Sequence, residues 1–499
     1  MRQVRRKTVD STARSYFLKA KDEGVNLSWN NYEDSLPQDG FNLIGLSCFD
    51  CLQGPCRLNP FGQNEARTIC GLGKKDLVLN HLVRLGTAND WRQMGFSVMG
   101  KLKAKVESGE LNGESLKDVA AKWQLEVENP SQIISGLKQK LAGFGHTKPI
   151  NKFQAPEEAL ADLKRLAAQT ADYLALVNDL AGALDSEGIT NVRELGLGTL
   201  NPEAVNVCLQ GVSPAVLAYA AELSAELRQQ AIDLGAIDGF NIVLAGDFSQ
   251  FHAFATVGNH ASVEFALLTG LVDLYLVGNE VAGCGKNVAE KYHTVIAGGA
   301  PEREALRELF LQAMQAFTKR DQAKVRPEVQ YMEAEFAVGP DVIKVKLSEG
   351  TTKGICIIGG GSNVKVTSDQ AAQEIVNELK GQDIVCLTYG NSAVTLAKYG
   401  YLAAQSEQAV YSLGSEAQAA QLVQYIRGYK DSKIVAVFPE LSSAWDFQVA
   451  LALAEAGAKV FTGVKLPIDG SETVSKAMAE IAHCEPKALP DRVREYFRL

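Results

Sequence analysis

The stretch Cys48-Phe49-Asp50-Cys51-Leu52-Gln53-Gly54-Pro55-Cys56, followed by Cys70, gathers four of the nine cysteines in the chain. Its spacing is C-x2-C-x4-C-x13-C. Four thiolates this close can take the corners of one tetrahedral site, which suits a zinc ion or a [4Fe-4S] cube. The neighbouring residues favour the cube. Gly54 and Pro55 let the backbone bend around a bulky group, and Gly71 lets main-chain N–H groups approach the sulfurs. Arg57 and Arg67 can offset the negative charge of a thiolate-ligated cluster. The other five cysteines are scattered between Cys208 and Cys484.

The rest of the composition sets bounds on what such a site could serve. A chain of 499 residues, 46% hydrophobic, can bury a large core and divide into two to four domains. Its formal net charge of −9 argues against nucleic acid or an anionic membrane as the main partner. Arg2, Arg5, Arg6 and Lys7 read as a solvated terminus. Apolar runs are short and interrupted, so no membrane span is expected, and the N-terminus lacks the apolar region of a secretory signal. Cysteines without a repeating framework point to ligation in a reducing cytoplasm, not to disulfides. The expectation is a soluble cytoplasmic metalloprotein.

Hydrophobic periodicity divides the chain in two. Residues 155–186 show apolar positions at three- and four-residue spacing, and a second helix runs from the Ser213 N-cap to about Leu234, where Gly235 stops it. Residues 86–150 are mixed, with polar breaks. From residue 236 strands and helices alternate. Apolar runs at 240–246, 271–278, 354–360, 383–388, 433–438 and 459–464 read as strands, with helices at 262–270, 368–380, 415–428, 442–457 and 471–483. The polar stretch around 318–345 reads as a connection. Near-continuous apolar strands with intervening helices imply parallel sheets covered on both faces. The expected fold is α + α/β. A helical N-terminal domain (1–235) carries the [4Fe-4S] site, followed by two Rossmann-like parallel α/β domains (236–345 and 346–499). Gly359-Gly360-Gly361-Ser362 reads as a tight turn, since nothing completes a phosphate loop. The six histidines are dispersed, and His252 and His260 lack metal-pair spacing.

From Trp29-Asn30-Asn31-Tyr32 through Cys70-Gly71 the chain resembles nickel-dependent carbon monoxide dehydrogenase, in the superfamily that also holds the hybrid-cluster proteins. The matching residues are Gly40-Phe41, Cys51-Leu-Gln-Gly-Pro-Cys56-Arg57, Pro60-Phe61-Gly62 and Ile69-Cys70-Gly71. The resemblance resumes at Asn206–Pro214, at Val257-Gly-Asn259, at Leu268–Asp273 and at Ala289–Thr294, and ends with Pro439-Glu440 and Gly470-Ser471. It implies a homodimer with one relay cubane per subunit, one cubane shared across the two-fold axis, and a catalytic nickel–iron–sulfur centre. Cys48, Cys51, Cys56 and Cys70 match the relay cubane residue by residue. Where the shared cubane needs two further cysteines, the chain has Asp39 and Ser47, so that cluster is expected to be missing.

The catalytic ligands are replaced as well. The family's histidine ligand matches Val212, and its cysteines fall at Gly246 or Asp247, Glu280 or Val281, Gly361, Asn391 and Glu416. A lysine of the family matches the region of Trp445. Cys284 lies a few residues from one such position, and Cys208, Cys356 and Cys386 read as buried small hydrophobes. Valine, glycine and asparagine cannot replace several soft thiolates at once, so the nickel–iron–sulfur cluster is expected to be absent.

Three functions follow as expectations. The first is electron transfer, or a partner subunit in a redox hetero-complex, with one [4Fe-4S] cluster per chain and a homodimer still open. The second is an oxidoreductase with a remodelled metal site, in which Asp247, Glu280 and Glu416, with His252 or His260, bind iron, manganese or magnesium. The third is a non-redox assembly subunit stapled by the cluster.

Overall fold

The computed structural model describes residues 6–61, 66–87, 92–111, 114–126, 129–143, 154–184, 192–248, 252–278, 285–336, 352–403, 410–415, 419–427 and 433–499. Two sheets of mainly parallel strands and one helical layer build the protein. The C-terminal sheet has six parallel strands in the spatial order Val410–Ser412, Ile384–Thr388, Gly354–Ile358, Lys433–Phe438, Lys459–Thr462, Ile481–His483. Counted along the chain this is 3-2-1-4-5-6, the doubly wound order of dinucleotide-binding sheets. Gly354–Ile358 and Ile384–Thr388 are buried at every residue, which is why they read as unbroken apolar runs.

The middle sheet has seven strands in the order Val295–Gly298, Val272–Val277, Ala204–Gln210, Gly239–Ala245, Ala255–Thr256, Val192–Leu195, Met332–Glu335. Only the last pair is antiparallel. This sheet reaches back across the expected boundary at 235–236, because Val192–Leu195 and Ala204–Gln210 precede it and the latter sits at the sheet's centre. Its buried polar residues conceal it in the sequence. Asn206, fully buried, donates from Nδ2 to the carbonyls of Asn201 and Leu271 at 2.8 and 3.0 Å, so a polar side chain completes the strand's hydrogen bonding. The connection at 318–345 likewise contributes a strand, Met332–Glu335. Asp273, also fully buried, is held by Arg320 Nε at 2.9 Å, by the Asn206 backbone N–H at 2.7 Å and by His293 Nε2 at 3.0 Å.

The helical layer is built on Pro156–Leu184, a helix of 29 residues, hence about 44 Å long. It packs against Ala444–Glu455, Lys74–Thr87 and Arg92–Glu107 in one apolar core that also includes Ile355, Ala436 and Phe438 of the C-terminal sheet. Residues 86–150, mixed in sequence, contain the helices Arg92–Glu107, Glu114–Lys122 and Pro130–Gly143. The first helices belong elsewhere. Tyr16 and Trp29 stack on Phe265 at 5.5 and 6.0 Å between ring centroids, so Ala13–Asp22 and Ser28–Asp34 cover the middle sheet. Ser213 Oγ accepts from Val216 N–H at 3.4 Å and caps Pro214–Glu226, as its sequence implies. The segment 471–483 is part helix (Glu472–Ala477) and part edge strand (Ile481–His483).

Candidate metal centre

A two-stranded antiparallel ribbon, Ser47–Cys48 with Cys56–Arg57, starts the site. Its register sets Cys48 directly opposite Cys56. The turn between them carries Cys51 and closes through Gly54 N–H to Cys51 O at 3.3 Å. A Cβ on Gly54 would stand 3.2 Å from Cys56 N and 3.3 Å from Cys48 O, so any side chain there would press on the backbone of the bend. Cys70 arrives on a second loop, pinned by Thr68 N–H to Leu72 O at 2.9 Å. The four thiols line one cavity of ~230 Å³.

That width bears on the choice between zinc and a cube. Zinc–sulfur bonds of about 2.3 Å would bring the sulfurs to about 3.8 Å from one another. Among the described residues, no three Cys, His, Asp or Glu side chains converge closely enough to hold one ion. Four thiols spread around a cavity of this size suit a multi-iron cluster.

The surroundings tune the thiols unevenly. Cys48 is buried, Cys56 half-buried, and Cys51 and Cys70 exposed. Burial pushes the Cys48 thiol up, and a hydrogen bond from the Asp50 backbone N–H pulls it part of the way back. Gly71 N–H is committed to Thr68 O at 2.9 Å, so the sulfur of Cys70 receives a different donor from the one its sequence suggests. Thr68 Oγ1 lies 3.3 Å from Cys70 Sγ and accepts from Leu72 N–H at 2.9 Å, which leaves its own proton for the sulfur. Arg67 Nη1 donates to Gly71 O at 3.1 Å, and Arg57 pairs with Asp39 at 3.4 Å. His81 Nε2 donates to Ser47 O at 2.7 Å and is thereby engaged. Asp39 and Ser47, the two positions expected to match shared-cubane cysteines, meet in space: Ser47 Oγ donates to Asp39 Oδ2 at 3.3 Å.

Three of the positions expected to match catalytic ligands, Gly246, Gly361 and Asn391, come together around His260. A Cβ on Gly246 would lie 1.8 Å from His260 Cδ2, and one on Gly361 would lie 3.4 Å from His260 Nδ1. His260 N–H donates to Asn391 Oδ1 at 2.6 Å. Beside them the buried Asp446 accepts from the backbone N–H groups of Ser442, Ser443 and Gly361 at 3.1, 3.0 and 3.3 Å, and burial pushes its carboxyl up. Of the three acids expected to form a remodelled metal site, one lies among the described residues. Asp247 Oδ1 accepts from Phe248 N–H at 2.8 Å, while Glu280 and Glu416 lie outside the described residues. Cys284 lies outside them as well. Trp445 is buried in the helical core, and Cys208, Cys356 and Cys386 are buried at 0–1% exposure. Sequence reasoning missed Glu264. Its spacing from His260 places the two about one helical turn apart, and that was the available signal.

The Prismane/CO dehydrogenase family model matches residues 102–491. The chain belongs to that family. The matched span begins after the cysteine quartet, so the quartet and the family assignment are independent observations. Among curated members of the Prismane/CO dehydrogenase family, carbon monoxide dehydrogenase 1 of Methanosarcina mazei is 24% identical, over 91% of this chain and 83% of that protein. Carbon monoxide dehydrogenase of Rhodospirillum rubrum is 23% identical, over 80% and 76%. Among solved structures, carbon monoxide dehydrogenase IV of Carboxydothermus hydrogenoformans superposes with a TM-score of 0.83 at 22% identity, over 99% of both chains. A nickel-free carbon monoxide dehydrogenase of Thermococcus sp. AM4 gives 0.83 at 18%, over 99% and 96%. The fold of the family is therefore present along the whole chain. Among the described residues, no helix is long and apolar enough to cross a membrane.

Proposed function

We propose that this chain is an electron-carrying iron–sulfur protein, or the partner subunit of a redox complex, with one [4Fe-4S] cluster on a carbon monoxide dehydrogenase-like scaffold and without the nickel–iron–sulfur centre. One contrast carries the reading. Four thiols line a single cavity at the ribbon, whereas the positions expected to match the catalytic ligands hold Val212, Gly246 or Asp247, Glu280 or Val281, Gly361, Asn391 and Glu416, none of them a thiol, with Gly246, Gly361 and Asn391 around His260. Cys48, Cys51, Cys56 and Cys70 would hold the cluster, which when bound supplies one-electron chemistry. Thr68 and the Asp50 backbone N–H would set its potential through their hydrogen bonds to sulfur.

Exposed apolar residues in the cysteine-bearing segment support a protein partner. Ile69, which lines the cavity, and Phe49, Leu52 and Phe61, close to the cysteines in sequence, are 64%, 57%, 106% and 92% exposed, an unusual run of exposed apolar side chains. Asp39 and Ser47 in place of the shared-cubane cysteines leave no metal link between subunits, so electrons would leave through this segment to another protein. Members of the family include a subunit of carbon monoxide dehydrogenase/acetyl-CoA synthase in Moorella thermoacetica, which is consistent with assembly into larger complexes.

The test is redox titration of anaerobically purified protein followed by electron paramagnetic resonance. Reversible reduction by dithionite to about one spin per chain is expected. A cluster that cannot be reduced would replace this reading with that of a structural staple.

A further inference from the structure

The two sheets turn their ligand-binding edges toward one another. In doubly wound sheets ligands bind outside the carboxyl ends of the strands, where the strand order reverses. In the C-terminal sheet that point lies between Gly354–Ile358 and Lys433–Phe438, and in the middle sheet beside Ala204–Gln210. A cavity of ~250 Å³ lies between the two points, bordered by Gln210 on one side and by Ser362 and Ser442 on the other. The helix carrying Trp29, the turn carrying His260 and the helix Val263–Leu268 carrying Glu264 border it as well.

Two polar groups in this wall, the indole N–H of Trp29 and the hydroxyl of Ser368, lack the partners that burial demands. Trp29 and Ser368 are 2% and 1% exposed, and neither Trp29 Nε1 nor Ser368 Oγ has a hydrogen-bond partner. Each orphaned group costs about 1–3 kcal/mol unless something in the cavity satisfies it. Glu264 is 4% exposed, and both its oxygens accept from the Ser28 backbone N–H at 3.0 Å. Among the described residues no lysine or arginine lines the cavity and no cation pairs with Glu264.

We propose that this cavity binds a small organic ammonium compound that also carries a hydroxyl or carbonyl oxygen, its ammonium on Glu264 and its oxygen on Trp29 Nε1 and Ser368 Oγ. The wall discriminates against other classes. An indole N–H can only donate, so it repels a metal ion and suits an oxygen acceptor. A carboxylate ligand would meet Glu264 with no positive side chain to offset it. The volume lies below the range of drug-sized pockets and holds a molecule of few atoms. Among the described residues, His260 and Glu264 are the titratable groups in the wall. Burial pushes His260 down to about 4 and Glu264 up to about 7, so the histidine is neutral and does not compete as a cation. This site stands apart from the cysteine cavity and does not depend on the cluster.

Isothermal titration calorimetry on the full, cluster-containing chain tests it, with ethanolamine and glycinamide as probes and acetate and Mn²⁺ as comparators. One equivalent of either amine should bind in the micromolar to millimolar range. Glu264→Gln should weaken it at least tenfold and Trp29→Phe several-fold, with unchanged cluster absorbance reporting that both variants fold. Should Glu264→Gln fail that check, Ser368→Ala serves in its place. Affinity should fall about tenfold from pH 8 to pH 6 as Glu264 gains its proton. The proposal is overturned if neither amine binds at about 10 mM. Equal binding by folded variants, or tighter binding of acetate or Mn²⁺ than of the amines, overturns it too.

Discussion

The imidazole of His260 fills the space into which a side chain on Gly246 would have to grow, with Cδ2 only 1.8 Å from a Cβ built there. Gly246 adopts φ +76°, so the position is doubly restricted to glycine. The same ring approaches Gly361 and its backbone is tied to Asn391. Restoring single thiolates at these positions would therefore collide with the present packing and not recreate a cluster.

Gly246→Ala should destabilise the protein by about 2–4 kcal/mol, combining overpacking with the left-handed backbone. The double variant Gly246→Ala/His260→Ala should recover at least about 1 kcal/mol, because the collision is pairwise. Urea unfolding of the four proteins reports the coupling. Strictly additive losses would mean that His260 is not what excludes a side chain from Gly246.

Thr68→Ala should lower the potential of the cluster by about 20–60 mV, the equivalent of one hydrogen bond to sulfur. A donor to a thiolate stabilises the reduced, more negative cluster, so its loss favours the oxidised form. Thr68→Ser should leave the potential near that of the natural protein. Potentiometric titration decides the matter, and a potential unmoved by Thr68→Ala would remove Thr68 from the account of Cys70.

His260 and Glu264 should bend the pH profile of stability in opposite directions. Glu264 rises from 4.5 to about 7 on folding through burial, so the folded state binds the extra proton between those values. Stability from this group is full below 4.5 and is lost as pH rises through 7, on the order of 3 kcal/mol in all. His260 falls from 6.5 to about 4, also through burial, so its contribution is present above 6.5 and lost as pH falls toward 4. Between pH 4.5 and 6.5 the two slopes offset each other. Glu264→Gln should make stability climb with pH across that window, and His260→Gln should make it decline. Chemical unfolding at a series of pH values measures both, and parallel profiles for the two variants would contradict the assignment.

What was legible in the sequence follows burial. Gly354–Ile358, Ile384–Thr388 and Lys433–Phe438 are central strands whose apolar runs announce them, and Pro156–Leu184 shows helical periodicity throughout. Val410–Ser412 and Ile481–His483 are three-residue edge strands, too short to carry a pattern. Gly390–Lys398 opens with Gly-Asn-Ser and resembles a turn, yet it is a helix whose first eight residues are all buried, a state imposed by tertiary packing. The start of the middle sheet before residue 236 is hard to read because Asn206 and Gln210 make a central strand look polar. At the cysteine site, spacing alone identified the four residues that share a cavity. The second cavity was invisible because Trp29, Glu264 and Ser368 come from separate parts of the chain and meet only in the fold.

The central claim is that the cysteine quartet holds the chain's metal and that the nickel centre is missing. Counting iron, acid-labile sulfide and nickel per chain after anaerobic purification tests it most directly. Four iron, four sulfide and no nickel are predicted, with all of it lost in Cys51→Ala. Stoichiometric nickel, or a full complement of iron and sulfide retained in Cys51→Ala, would contradict it.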